Sequence, residues 1–87
     1  MVMWKIIYTK QALKDKQRIE IAGLAPKVKA LLAVLTQNPY QNPPPYEKLL
    51  GEKDAFSRRI NRQHRLTYQV YQDEKIIKIA RMWTHYE

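Results

Sequence analysis

The sequence predicts an α+β fold. An N-terminal strand and an αα-hairpin precede an antiparallel β-meander, and the helices cover one face of a small sheet. Three observations lead there. Apolar residues recur at helical spacing before a proline-rich run and at a spacing of two after it. The length of 87 residues suits one domain, spanning residues 1–87. Hydrophobic residues make up 45% and charged residues 28%, with only 2 glycines, which is the balance of a folded domain rather than a disordered tail.

Residues 3–8 are β-branched and aromatic and read as the first strand. Thr9 then caps a helix with Leu13 and Ile19 on its buried side and Lys10, Lys14, Gln17 and Arg18 on its wet side. Gly23 interrupts that helix, and Pro26 suits the first turn of a second one. There Val28, Leu31, Leu32 and Leu35 fall at i, i+3, i+4 and i+7, the spacing of one buried face. Residues 38–45 cannot continue it. Four prolines in seven positions (Pro39, Pro43, Pro44, Pro45) predict a stiff, extended connector.

After the connector the period is two. Phe56, Arg58 and Ile60 alternate with Ser57 and Arg59, and residues 61–64 supply a polar turn. Leu66, Tyr68 and Val70 form the natural core set of the next strand, which leaves Arg65, Thr67, Gln69 and Tyr71 facing outward. A turn at residues 72–74 leads to a last strand over residues 75–82. These three strands form the expected meander.

Composition narrows the function. Lys plus Arg number 16 and Asp plus Glu 8, so the net charge is 16 − 8 = +8, and the partner should be anionic: nucleic acid, an acidic protein segment or a membrane surface. No cysteine is present, which removes disulfides, thiolate nucleophiles and the common zinc sites. Two histidines, His64 and His85, are too few for a multi-histidine metal site, so no metal or cofactor is expected. The N-terminal apolar run is too short for a signal peptide and nothing approaches a membrane span, so a cytoplasmic protein is expected.

The open sheet face carries the candidate chemistry. Arg58, Arg59, Arg62 and Arg65 fall within eight positions, a guanidinium cluster suited to planar, bidentate phosphate contacts. A plain solvated basic strand would have the same composition. Tyr46, Tyr71, Trp83 and Tyr86 are placed to stack on unpaired bases. The residues alone point to RNA or DNA and no further.

Longer motifs go further. The run Tyr46-Glu47-Lys48-Leu49, then Phe56-Ser57-Arg58-Arg59-Ile60-Asn61 and Gln63-His64-Arg65-Leu66-Thr67-Tyr68, with the ending Arg81-Met82-Trp83-Thr84-His85-Tyr86-Glu87, resembles the Txe/YoeB family of bacterial toxins in the RelE/ParE superfamily. The resemblance covers essentially the whole chain and implies a RelE-like fold. It further implies a ribosome-dependent endoribonuclease that cuts mRNA in the ribosomal A site, held inactive by an acidic YefM-like antitoxin. The family often forms dimers. Carried over by motif, the catalytic glutamate falls on Glu47, the transition-state arginine on Arg65, and the catalytic histidine and tyrosine on His85 and Tyr86. Arg59 matches a second arginine of the same concave surface; Arg58, Arg62 and Trp83 complete the expected RNA contacts. Two departures stand out: Lys53-Asp54-Ala55 precedes Phe56 where the family often has a glycine, and Glu87 extends past the His-Tyr ending.

The chemistry asks for such residues. Metal-free RNA cleavage needs a base for the 2′-OH, charge stabilisation at the phosphorane and an acid for the leaving 5′-oxygen. Glu47 is the only acid between Glu20 and Glu52, and carboxylates are ionised and able to accept a proton at neutral pH. An exposed glutamate in an ion pair is the plain alternative. A histidine such as His85 titrates near working pH and suits the acid role. His64 adjoins Arg65 and should point to the opposite face, as a turn or support residue. Two other functions fit the same chain: a non-catalytic inhibitor of another target, such as gyrase, and a basic RNA-binding module. The gyrase-poisoning branch of the superfamily lacks the glutamate and the His-Tyr ending.

Overall fold

The computed structural model describes residues 3–83. Strand β1 (Lys5–Tyr8) passes into helix α1 (Lys10–Ile21) through Thr9, whose Oγ1 accepts from the Ala12 amide at 3.0 Å and donates to the Ala80 carbonyl at 2.8 Å. One side chain thus caps a helix and ties it to the far end of the sequence. Gly23, at φ +75°, reverses the chain where an L side chain would be strained, and α2 (Ala25–Gln37) starts with proline in its first turn.

Five strands follow the order β1-β5-β4-β3-β2. Beyond β1 they are β2 (Glu47–Lys48), β3 (Ala55–Arg59), β4 (Arg65–Tyr71) and β5 (Ile76–Arg81). The β3-β4-β5 meander is antiparallel as expected. The sheet is larger than the meander, because β1 joins β5 in parallel and the two-residue β2 adds an edge strand against β3. On β4 the alternation holds: Leu66, Tyr68 and Val70 are buried, and Arg65, Thr67, Gln69 and Tyr71 are half-buried.

The two helices pack on this sheet. Ala12, Ile19, Val28, Leu31 and Leu35 meet Phe56, Ile60, Leu66, Tyr68, Val70, Ile77, Ile79 and Met82 in one core. Each large aliphatic side chain buried there contributes about 1.5–3 kcal/mol. Leu13 is not part of it. The buried face of α1 runs through Ala12, Asp15 and Ile19, so Leu13 is turned about 100° away and is 51% exposed.

Two local features shape the sheet ends. Thr67 pairs with Arg81 but Tyr68 with Ile79, so Ala80 is the extra residue of a bulge, and its carbonyl is the one Thr9 takes. Asp54 enters β3 at φ +54°, the left-handed conformation that glycine adopts freely and aspartate tolerates better than most residues. The departure from the family's glycine therefore falls beside a backbone position that favours one. Among the described residues no helix is long and apolar enough to cross a membrane.

Candidate active site

Side chains opposite one another on neighbouring strands share a face. Glu47 lies opposite Ser57 and Ser57 opposite Thr67, while Arg59 lies opposite Arg65, so all five project from one face at the β2-β3-β4 edge. Arg65 organises them. Its Nη2 donates to Glu47 Oε1 at 2.8 Å and its Nε to Ser57 Oγ at 2.6 Å. Its side chain is 14% exposed and that of Glu47 70%.

This edge is one wall of an open cleft of about 790 Å³. Pro44, Pro45 and Tyr46 lead into it, Asn61 and Arg62 come from the β3-β4 turn, and Lys27, Ala30 and Leu31 of α2 form the facing wall. Lys27, Arg59, Arg62 and Arg65 give it four cations against one carboxylate, Glu47. Arg59 and Arg62 are exposed. Two guanidinium groups directly opposite across strands repel each other, and a bound anion removes that cost. Bidentate phosphate binding beside a carboxylate able to accept a proton is the chemistry such a cleft offers.

Arg58 does not belong to this surface, which corrects its place among the RNA contacts. It pairs with Leu66 on the opposite face and is fully buried. Its Nε donates to Tyr68 Oη at 3.1 Å, its Nη2 to the carbonyls of Pro39 and Gln41 at 3.0 and 2.8 Å, and its Nη1 to that of Pro44. The guanidinium carbon lies 5.0 Å from the centre of the Tyr46 ring. Tyr68 Oη donates in turn to the Pro39 carbonyl at 3.1 Å. Burial pushes the Tyr68 phenol above its ordinary pKa, against the pull of Arg58, so the hydroxyl keeps its proton.

Tyr71 is also elsewhere. It closes the other end of β4, six residues or about 20 Å from Arg65, and its hydroxyl donates to Gln69 Oε1. Tyr46 does line the cleft, with its ring edge-on to Phe56 at 5.6 Å. The Trp83 ring stacks on His64 at 3.8 Å and 23°. His64 is buried and closes the β3-β4 turn, its carbonyl accepting from the Ile60 and Asn61 amides. Its ring thus lies against Trp83 while Arg65 reaches Glu47. His85 and Tyr86 lie outside the described residues.

Asp15, Ser57 and Lys27 were not anticipated. Asp15 is fully buried on α1, and its Oδ2 accepts from Arg81 Nε at 2.9 Å and from the Met82 and Trp83 amides at 3.0 and 3.2 Å. It fixes the chain where β5 ends. Ser57 could have been found from its alternation with Phe56 and Arg58. Lys27 precedes Leu31 by four residues, which places both on one side of α2.

The sequence model for the YoeB-like toxin of bacterial type II toxin-antitoxin systems matches residues 8–86. Similar solved structures include a YoeB-YefM complex from Staphylococcus aureus, with TM-score 0.79 and 31% identity over 95% of this chain and 98% of that one. A YoeB dimer from the same organism has TM-score 0.80 and 30% identity, over 97% of this chain and 99% of that one. A YoeB/ParE toxin from Agrobacterium tumefaciens has TM-score 0.83 over 94% of this chain and 99% of that one, and at 24% identity it speaks for the fold alone. No curated protein matches.

Proposed function

Because the chain belongs to the YoeB-like toxins of bacterial type II toxin-antitoxin systems, we propose that it is an mRNA endoribonuclease acting in the A site of the cytoplasmic ribosome. The observation that carries this reading is the Glu47–Arg65 pair, a carboxylate and a guanidinium 2.8 Å apart in a cationic cleft. Glu47 takes the proton of a ribose 2′-OH, and the freed oxygen attacks the adjacent phosphorus. Arg65, with Arg59 beside it, stabilises the charge that grows on the phosphorane. His85 returns a proton to the departing 5′-oxygen, leaving a 2′,3′-cyclic phosphate upstream and a 5′-OH downstream; Tyr86 orients the phosphate. Arg62 and Trp83 serve RNA binding outside the bond-breaking step, and no metal is required.

The S. aureus relative is solved as a YoeB-YefM complex and as a YoeB dimer. This chain is accordingly neutralised by a YefM-like antitoxin and pairs with a second copy when free. Incubating the protein with translating ribosomes and mapping the new 5′ ends tests the activity. Cuts in register with codons are expected; intact mRNA would leave the chain a non-catalytic member of its family.

A further inference from the structure

Residues 38–45 include four prolines and therefore lack half of the amide donors that would tie a loop to itself. The Asn38 and Pro43 carbonyls accept from Gln41 within the segment, and others must be satisfied from outside. Arg58 does this: three carbonyls of the connector, those of Pro39, Gln41 and Pro44, accept from one guanidinium. A buried cation is costly, and an apolar side chain of similar size would ordinarily serve the core as well. What an apolar side chain cannot do is donate to three carbonyls at once and place a cation over the Tyr46 ring, 5.0 Å from its centre. Tyr46 is followed directly by Glu47, whose strand is two residues long, too short to fix a side chain by ladder hydrogen bonds alone. On β3 the neighbouring Ser57 lies opposite Glu47 on the site face, while Arg58 reaches the connector from the other face.

We infer that Arg58 is a positioning residue: through the connector carbonyls and Tyr46 it holds the Glu47 carboxylate against Arg65. This rests on the reading of Glu47 as the base. Lysine at this position keeps the charge but presents a single ammonium, which cannot span four acceptors.

The experiment compares wild type with Arg58→Lys, and with Tyr68→Phe as a milder variant that removes the Tyr68 Oη bonds to Arg58 and Pro39. In both, amide exchange should speed at least about tenfold at residues 40–48 while β4 and β5 stay protected. Single-turnover mRNA cleavage at saturating ribosome should fall about 10²-fold in Arg58→Lys, the scale of a misplaced reacting group, and less in Tyr68→Phe. Ribosome affinity should change less than about twofold. The fall should vanish on a Glu47→Gln background, because a residue acting through Glu47 has nothing left to position. An equal fall on both backgrounds, or a full wild-type rate with a loosened connector, overturns the inference. Should wild type not cleave at all, the ribonuclease reading fails, and the resonance of the Arg65 Nη2–H, the group that meets Glu47, decides instead. It should move in Arg58→Lys toward its position in Glu47→Gln, and a resonance that stays put overturns the positioning role. If Arg58→Lys does not fold, Tyr68→Phe carries the same comparisons.

Discussion

The Glu47 carboxylate meets the Arg65 guanidinium at 2.8 Å, although the two residues lie 18 positions apart and differ fivefold in exposure, 70% against 14%. The pair is held from one side. Arg65 is anchored on Ser57 at 2.6 Å, whereas most of Glu47 faces water. An ion pair with one such exposed partner is worth about 0–1 kcal/mol. A phosphate arriving in the cleft would find the guanidinium already in place, held by Ser57. Glu47, 2.8 Å from that guanidinium, would then lie beside the substrate, where the proposed reaction needs a base.

Arg65→Ala should accordingly lower the cleavage rate by about 10²–10³, the usual loss for one preorganised donor to a developing charge. Ribosome affinity should fall only slightly, since Lys27, Arg59 and Arg62 keep the cleft cationic. Single-turnover cleavage and a binding titration separate the two effects. Near-normal cleavage by this variant would remove Arg65 from the reaction.

The two histidines should part company. His64 is buried, and its ring stacks on Trp83 at 3.8 Å, so His64→Gln should lower the thermal midpoint while the rate per folded molecule holds. Losing about 1 kcal/mol from a domain of this size moves the midpoint by roughly 4–8 °C. His85→Gln should instead abolish most cleavage at neutral pH with little change in melting. The opposite pattern would exchange their roles.

Most of the fold was legible because its signals are local. The switch from helical to alternating period marks the helices and the meander, and Leu66, Tyr68 and Val70 are buried where the alternation places them. Non-local features were not legible. The parallel pairing of β1 with β5 joins the two ends of the chain, and β2 is too short to show any period. The direction of Arg58 was readable: it falls in phase with Phe56 and Ile60, both core residues, but four arginines close together argued for a shared surface. The family resemblance, rather than any local pattern, assigned Glu47 and Arg65 to one site, and nothing in the sequence pairs Arg65 with Ser57. Asp15 gave no signal either, since it sits between Lys14 and Lys16 and is drawn inside by amides 67 and 68 residues away.

That buried carboxylate makes stability depend on acid. Burial alone would raise the pKa of Asp15, but bonds from the Met82 amide, Arg81, Gln11 and the Trp83 amide outweigh it and hold the group below its ordinary value. A carboxylate depressed in the folded state contributes stability above the unfolded pKa of about 3.9, and loses it as pH falls through the folded value. Asp15→Asn should therefore melt lower at pH 7, by roughly 1–3 kcal/mol. It should also show a flatter decline than wild type below about pH 4. Thermal melts of both proteins between pH 7 and pH 2 check this, and parallel curves would take Asp15 out of the acid response.

The antitoxin should bind in two separable parts. With a net charge of +8 and with Arg59 and Arg62 exposed at the cleft, an acidic segment should be drawn toward the same groove proposed to bind RNA. Such a segment is expected to be disordered when free and to fold as it binds. Exposed charges of this kind govern encounter, whereas apolar anchors govern residence. Raising the salt from about 50 to 500 mM should thus slow association by about tenfold or more and change dissociation by less than about threefold. Arg59→Ala with Arg62→Ala should weaken the salt dependence of association and leave dissociation almost as it was. Stopped-flow association and dilution-induced dissociation give both rates. If the segment covers Arg65 and Glu47 as expected, the complex should not cleave mRNA; a complex that cleaves as fast as the free protein would show that neutralisation works by some route other than occupying the cleft.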